Sequence, residues 1–404
     1  MDNPVPVILT INCGSSSLKF ALFDLSSVKL ISQGNIQDIG RDSSIRLMDA
    51  MGHEERVDQP MADLDAAIQF LLQLLKESYS PYAVYAIGHR IVQGGKEHYL
   101  PELITANLLQ TFETLIPLAP GHLPAEITAI RAFEDAYPGI PQVACFDTAF
   151  HKDMPFAARH FALPRHLWDD GVIRYGFHGL SYEYIYQQLK QFAPQEANGS
   201  IVIAHLGNGA SMAVVKNGRS LDTTMGLTPT GGLVMSTRSG DLDPGVILYL
   251  LKEKHFISER ALNELLNTQS GLKGISGGAS DIRTLLEQEN KDPRAAEAIQ
   301  LFCYQAKKYI GALTAAAGGI NTLVFTGGIG IHAPVIRERI CEGLEYLGIA
   351  VDPFLNDDKN DIISPSGSRV TVRVMATNEE RIIAQHTQEC LQSHKTTQYG
   401  NSHT

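Results

Sequence analysis

Apolar and polar positions fall into short, regular blocks along this chain. Residues 7–11 are apolar and β-branched, bounded by Pro6 and Asn12, which predicts a buried strand. Asn12-Cys13-Gly14-Ser15-Ser16-Ser17 is a run of small, hydrogen-bonding residues that predicts a turn, and residues 18–24 read as a second strand. A Rossmann or P-loop glycine turn leads instead into a helix whose N-terminus holds phosphate. The unit here is strand, polar turn, strand. It recurs halfway along: residues 201–206 read as strand, Gly207-Asn208-Gly209 as turn and residues 210–215 as strand. On the pattern alone two readings stay open. One is a pair of ordinary hairpins; the other is a duplicated α/β domain whose two tips face each other across a cleft.

A third glycine segment differs in kind. Residues 321–326 predict a strand, Gly327-Gly328-Ile329-Gly330 follows, and a helix is expected from Pro334, with Val335, Ile336, Ile340, Leu344 and Leu347 at helical spacing. A strand ending in Gly-Gly lets a flat ligand approach the backbone closely, although such turns are frequent in α/β folds. Helical periodicity covers 64–75, 256–266 and 298–317; short strands are expected at 83–88 and 142–146, ending in His89-Arg90 and Asp147-Thr148. Polar groups at the carboxyl ends of strands are where open α/β sheets carry their chemistry. Residues 393–404 read as a frayed polar tail.

Composition narrows the function. With 404 residues, 44% hydrophobic and 19% charged, the chain can bury large cores in two or three domains. The net charge is −11 and no Lys/Arg-rich run exists, which argues against nucleic-acid and anionic-membrane partners. Five scattered cysteines without a C-x-x-C pair argue against a disulfide scaffold and a thiolate zinc site. The first six residues carry an acid rather than a basic leader region, and no stretch of about 20 apolar residues is present. A soluble, cytoplasmic enzyme is the expectation.

Several clusters hold more glycine, charge and histidine than core packing requires. Arg90, Arg174 and Arg238 lie in glycine- or serine-containing loops and suit bidentate capture of carboxylate or phosphate, the plainer alternative being surface ion pairs. His89, His122, His178 and His205 either face a ligand or are satisfied structural histidines; no H-x-x-x-H spacing points to chelation by several of them. Asp147 and Glu379 are hard oxygen donors suited to Mg²⁺, while an acid at a strand end also serves as a helix cap. Cys13 has no evident base nearby and reads as an inert buried thiol.

These segments resemble a known family. Asn12-Cys13-Gly14-Ser15-Ser16-Ser17-Leu18-Lys19, Gly88-His89-Arg90-Ile91-Val92, Phe146-Asp147-Thr148-Ala149-Phe150-His151, Arg174-Tyr175-Gly176-Phe177-His178-Gly179, His205-Leu206-Gly207-Asn208-Gly209, Met225-Gly226-Leu227-Thr228-Pro229, Thr237-Arg238-Ser239-Gly240-Asp241, Thr326-Gly327-Gly328-Ile329-Gly330 and Thr377-Asn378-Glu379-Glu380 are similar in order and spacing to the acetate kinase family, which includes propionate kinases. The resemblance implies the superfamily of actin, hexokinase and the heat-shock chaperone ATPases, with two duplicated actin-like (ribonuclease H-like) α/β domains around a central cleft. It places an N-terminal domain over 1–150, a C-terminal domain with the nucleotide site over 151–390 and a polar tail over 391–404, the C-terminal helix packing back on the first domain. It implies reversible transfer from ATP to acetate or propionate, giving acyl phosphate and ADP, with Mg²⁺ or Mn²⁺ as cofactor and a homodimer as the assembly.

Position by position, Asn12 and Glu379 resemble the magnesium-site residues, and Ser15, Ser17 and Lys19 the first phosphate loop. Arg90 and Arg238 resemble the active-site arginines, Asp147 the catalytic acid and His178 the transition-state histidine. His205, Leu206, Gly207, Asn208 and Gly209 match the second phosphate loop. Asp281, Ile282, Arg283 and Gly328, Ile329, Gly330, Ile331, His332 match or adjoin the nucleotide segments. Val92, Gly121, His122, Phe177 and Pro229 match the surroundings of the acyl methyl. The chain departs from the pattern at Ile331-His332 (usually Glu-Asn), Gln93 (often His), Gly121 and Leu123 (usually Leu and Asn), Leu180 and Tyr182 (usually Thr and His) and Ser236 (usually Gly). Two alternatives accompany this reading: an acyl kinase using pyrophosphate or another nucleotide, and a non-catalytic actin-like nucleotide-binding module.

Overall fold

The computed structural model describes residues 4–14, 16–252, 258–357 and 360–400. Ser15, two residues of the expected 256–266 helix and the last four residues of the chain lie outside the described residues. The chain divides into two compact units, 1–149 with 378–404, and 150–377.

The first unit carries strands β1 (Val5–Gly14), β2 (Ser17–Asp24), β3 (Leu30–Gln37), β4 (Ser44–Asp49), β5 (Glu54–Val57), β6 (Tyr82–Ile91), β7 (Glu102–Leu103) and β8 (Gln142–Phe146). They form one sheet in the order β5-β4-β3-β2-β1-β6-β8-β7. The period-two alternation of β1 divides its apolar residues between two cores. Val7, Leu9 and Ile11 bury with Ile68 and Leu71 of helix Leu64–Glu77 and Phe133 of helix Leu123–Ala136. Ile8 packs the other way, with Ala21, Phe23 and Ala384 of the C-terminal helix Glu379–Gly400. Gly88 of β6 permits that helix to lie close, since a Cβ there would sit 2.2 Å from Thr387 Oγ1 and 2.7 Å from Ile383 Cγ2.

The second unit carries β9 (Ser200–Leu206), β10 (Ala210–Lys216), β11 (Arg219–Thr223), β12 (Thr322–Thr326) and β13 (Thr371–Val374), ordered β11-β10-β9-β12-β13. Its core joins Tyr182, Ile185 and Leu189 of helix Gly179–Phe192 to Ile201, Ile203, Ala213, Val215 and Val324 of the sheet.

The two sheets repeat one plan. Setting aside β4, β5 and β7, the first sheet reads β3-β2-β1-β6-β8, and both sheets then follow the order third, second, first, fourth, fifth. In each, the first three strands are antiparallel and the fourth and fifth run parallel to the first. This is the duplicated, actin-like α/β fold, so the two hairpins are corresponding parts of a repeated domain rather than unrelated turns. The first long helix after each fifth strand is exchanged: Gly179–Phe192, the first helix of more than five residues after β8, packs in the second unit, and Glu379–Gly400, which follows β13, packs in the first.

Four expectations change in detail. Residues from 378 onward, numbered with the second domain and the tail but expected to pack back on the first domain, cluster with the first unit, and the helix runs through the expected tail to Gly400. The first hairpin is tighter than read: β1 runs to Gly14 and β2 begins at Ser17, so Asn12 is a strand residue paired with Lys19. The glycine segment after β12 is itself a short helix, Gly327–His332. The helix expected over 256–266 is Glu259–Glu264, continued by a wider turn over Leu265–Gln269.

Candidate active site

β1, β6 and β8 are parallel neighbours, so their C-terminal ends coincide, and there the first unit gathers Asn12, Arg90 and Asp147. Arg90 Nη2 donates to Asp147 Oδ2 at 2.8 Å, and Nη1 lies 3.5 Å from Asn12 Oδ1. Asn12 Nδ2 donates to Glu379 Oε2 at 3.0 Å, from the first turn of the C-terminal helix. Asp147 is fully buried and its partner side chain is 12% exposed. Burial alone would lower the pKa of Arg90, but the carboxylates of Asp147, Glu379 and Glu126 outweigh it and raise the value, keeping the guanidinium charged. Lys19 is exposed and faces Asn12 across the hairpin; Ser17 pairs with Gly14 at its tip.

Glu126, in the first turn of helix Leu123–Ala136, belongs to this cluster although sequence reading passed over it. Its Oε2 accepts the Val92 N–H at 3.0 Å, and its Oε1 is buried without a partner. Burial pushes its carboxyl up to about 8, against the pull of Arg90 and the Val92 hydrogen bond. An acid in a first helical turn reads from sequence as a solvated complement to the helix dipole, so nothing announced its burial. Val92 is buried, while Gly121 is exposed and has no heavy atom within 4 Å of where a Cβ would lie. His122 precedes the helix without capping it through its side chain. Cys13 is a buried thiol pushed up to about 12, by burial and then by Glu126.

The second unit builds its cluster on the β9–β10 turn, Gly207-Asn208-Gly209. His178 and His205 stack with ring centroids 4.3 Å apart. His178 Nδ1 is 2.8 Å from Ser211 Oγ, and His205 Nδ1 is 2.8 Å from Ser181 Oγ. His178 adopts φ 58° and ψ 26°, a left-handed conformation that costs a β-carbon-bearing residue about 1–3 kcal/mol and concentrates at functional positions. A Cβ on Gly209 would lie 3.4 Å from His178 Nε2 and 3.7 Å from Arg238 Nη1, so glycine leaves space that both groups face. Arg238 Nη1 also donates to Pro229 O at 3.0 Å. Asn208 is held by Ser236, whose Oγ donates to Oδ1 and whose N–H donates to the carbonyl, each at 3.3 Å. Leu206, Phe177 and Pro229 are buried.

Gly327 takes φ +77° where a Cβ would meet Leu206 O at 2.6 Å, and the helix it opens carries Gly328, Ile329, Gly330, Ile331 and His332. Gly328 and His332 are exposed. The fully buried Arg337 clamps this helix: Nη1 donates to Gly330 O at 2.9 Å and Ile331 O at 2.6 Å, Nη2 to Asp357 O at 2.8 Å and Nε to Asn356 Oδ1 at 2.9 Å. Asp281 caps helix Ile282–Gln288 through the Thr284 N–H at 2.8 Å, with Ile282 buried and the exposed Arg283 near Glu287.

Two anion-binding candidates have other work. Arg174 donates to the carbonyls of Ala158, Thr223, Thr224 and Met225, which makes it a loop brace. His89 is buried against Gln142, and burial lowers its pKa to about 4. Asn12 and Glu379, by contrast, suit magnesium: Mg²⁺ takes one or two hard oxygen ligands from protein and fills its remaining positions with waters and phosphates. Among the described residues no three or more His, Cys, Asp or Glu gather into an all-protein metal cage.

A profile described as the acetokinase family matches residues 7–385. The acetate kinase of Methylocella silvestris is 42% identical over 395 residues, covering 94% of this chain and 96% of that protein. That of Rhodopseudomonas palustris is 43% identical over 390 residues, with coverage of 94% and 97%. Among crystal structures, a propionate kinase from Francisella tularensis superposes with TM-score 0.87 at 36% identity, covering 95% of this chain and 99% of that one. Porphyromonas gingivalis acetate kinase superposes with TM-score 0.83 at 38% identity, covering 96% and 100%. With the duplicated fold, both residue clusters and similarity along nearly its whole length in agreement, the chain belongs to the acetokinase family.

Proposed function

We propose that this chain transfers the γ-phosphoryl group of ATP reversibly to the carboxylate of a short acid, acetate or propionate, giving acyl phosphate and ADP. The observation that carries the reading is the buried Arg90–Asp147 pair beside Asn12 and Glu379, at the strand ends of an acetokinase-family fold. The nucleophile is ionised at pH 7, since carboxylic acids titrate near ~4, so no strong general base is needed. The obstacle is repulsion between two anions. Arg90 and Arg238 are assigned to the carboxylate and to charge developing on the phosphoryl oxygens, where a preorganised donor stabilises the transition state most. His178 donates to one of those oxygens from Nε2. Asp147 holds Arg90 in place rather than removing a proton.

Lys19, Ser15, Ser17 and the backbone of His205, Leu206, Gly207, Asn208 and Gly209 are assigned to the phosphates. Asp281, Ile282, Arg283 and the helix Gly327–His332 are assigned to the nucleoside. Val92, Gly121, His122, Phe177 and Pro229 are assigned to the acyl group. Mg²⁺ or Mn²⁺, held by Asn12 and Glu379 directly or through its waters, neutralises phosphate charge when bound.

The partner we propose is a second copy of this chain. Helix Pro244–Lys252 is apolar and buries none of its residues, exposing Val246, Leu248, Tyr249 and Leu251, with Leu242 just before it. Such a patch suits self-association. The cytoplasm is the proposed compartment, supported by five free, buried cysteines. Among the described residues no helix is long and apolar enough to cross a membrane.

The direct test is trapping of acyl phosphate as the hydroxamate, with acetate, propionate and butyrate as acceptors and ATP, GTP and pyrophosphate as donors. Product from ATP with the two- or three-carbon acid is expected; its absence overturns the assignment.

A further inference from the structure

The second unit contains a buried chain of hydroxyls that ends on His178. Tyr182 lies one helical turn after it, fully buried, and its N–H donates to His178 O at 3.0 Å. Its phenol is hydrogen-bonded to Ser211 Oγ, which is 2.8 Å from His178 Nδ1. Ser211 is itself fully buried at the start of β10, opposite His205. The ring of Tyr182 packs against His151 and Phe150, at centroid distances of 5.6 and 6.1 Å. Phenylalanine would satisfy that packing, and a buried hydroxyl is costly unless it is hydrogen-bonded. Tyrosine here therefore calls for a use of its O–H.

We propose that Tyr182 is a positioning residue that acts through Ser211 to keep the proton of neutral His178 on Nε2. The proposal rests on the reading of His178 as the donor to the transferring phosphoryl group. A serine hydroxyl has one proton to give. Of the two hydroxyls the phenol is the stronger acid, so Tyr182 donates to Ser211 and Ser211 donates to Nδ1. An accepting Nδ1 leaves the imidazole proton on Nε2, the nitrogen that shares the space at Gly209 with Arg238. Groups facing His178 include the stacked His205 ring, the Arg238 guanidinium and Ser211, with Tyr182 behind Ser211. Beside a fixed cation, an uncharged donor avoids setting two positive charges together. The tautomer then delivers that donor without requiring the imidazolium.

The test compares the parent with Tyr182→Phe, Ser211→Ala, the double variant and His178→Ala, recording kcat, both KM values and thermal melts between pH 6 and 9. Without the relay the neutral ring can place its proton on Nδ1, and donation from Nε2 then depends on the imidazolium. Tyr182→Phe is expected to fold, to hold both KM values within about twofold and to lose about tenfold in kcat at pH 8, roughly the loss of one positioning hydrogen bond. The loss falls on kcat with both KM values held, a split that a merely structural disturbance of the site would not produce. Ser211→Ala follows the same profile and decides the matter should Tyr182→Phe fail to fold. The double variant is no slower than Ser211→Ala, as for two members of one relay. Parental kcat in Tyr182→Phe at pH 8, a loss carried by KM rather than kcat, or additive losses in the double variant overturns the proposal. Near-parental turnover in His178→Ala would instead remove the reading of His178 beneath it.

Discussion

A carboxyl group buried beside a guanidinium can be a partner or a liability, and the first unit holds one of each. Asp147 meets Arg90 directly, whereas Glu126 meets a backbone N–H and is pushed up to about 8 by burial. The folded pKa of Glu126 thus exceeds its unfolded value, ordinarily near ~4.3. Below that value both states are protonated and Glu126 adds no pH dependence. As pH rises toward 8 the unfolded chain ionises first, so stability falls. Glu126→Gln keeps an acceptor for Val92 and removes the titration. Its melting temperature is expected to match the parent near pH 4 and to exceed it near pH 8–9, by the several degrees that a stability gain of up to about a few kcal/mol represents. A constant difference across pH refutes the assignment. In the second unit, Arg238→Ala is expected to lower kcat by on the order of 10³ with little effect on ATP affinity, as for loss of a preorganised donor. Near-parental turnover would displace Arg238 from the chemistry. Gly121 makes a third case: nothing lies within 4 Å of its Cβ position, so a leucine side chain fits without backbone strain. Propionate is expected to be used at least as well as acetate, and Gly121→Leu to shift kcat/KM toward acetate by roughly tenfold, the scale of one methylene in a pocket. A strong acetate preference that Gly121→Leu leaves unchanged excludes Gly121 from setting acid size.

Elements show how much a sequence discloses and where it stops. Both hairpins, the strands at Gln142–Phe146 and Thr322–Thr326 and the long helix Pro293–Ala316 follow from apolar periodicity, because burial on one face imposes it. Strand ends carrying Arg90 and Asp147 were legible for the same reason, whereas Asn12 read as the first residue of a turn. What periodicity cannot show is which partner a polar side chain takes. Arg174 and Arg238 look alike in sequence, yet one braces four carbonyls and the other faces the Gly209 space. Arg337 was missed because an arginine in a helix reads as solvated. Its fork instead ties Gly330 and Ile331 to the segment at Asn356 and Asp357, fixing the helix assigned to the nucleotide. Lysine would retain the charge but not the planar fork. Arg337→Lys is expected to cost about 1–3 kcal/mol in stability, for carbonyls left unsatisfied. It should also raise the KM for ATP more than the KM for the acid. A lowered melting temperature with an unchanged KM for ATP would show that other contacts set the position of that helix.

At the scale of the whole molecule, the chain joins its two ends to complete one cluster: the hydrogen bond between Asn12 and Glu379 spans 367 residues of sequence. Glu379 has no strand of its own. It sits in the first turn of helix Glu379–Gly400, and the sheet contacts of Ile383, Ala384 and Thr387 hold that helix in the first unit. Stability of that docking and placement of the carboxylate are therefore one property. Gly88 is where the two can be separated by experiment. Alanine at 88 would place its methyl 2.2 Å from Thr387 Oγ1 and 2.7 Å from Ile383 Cγ2, so the helix must move outward. Overpacking of this kind costs about 1–3 kcal/mol. Because Glu379 rides on the displaced helix, Gly88→Ala is expected both to lower the melting temperature and to raise the magnesium concentration for half-maximal rate, leaving the KM for the acid comparatively unchanged. Glu379→Gln, which abolishes the carboxylate charge without disturbing the helix face, should raise the magnesium requirement while the melting temperature stays close to the parent. If Gly88→Ala melts early but keeps the parental magnesium dependence, then Glu379 is positioned by its link to Asn12 rather than by the docked helix, and the exchange of C-terminal helices between the units serves stability alone.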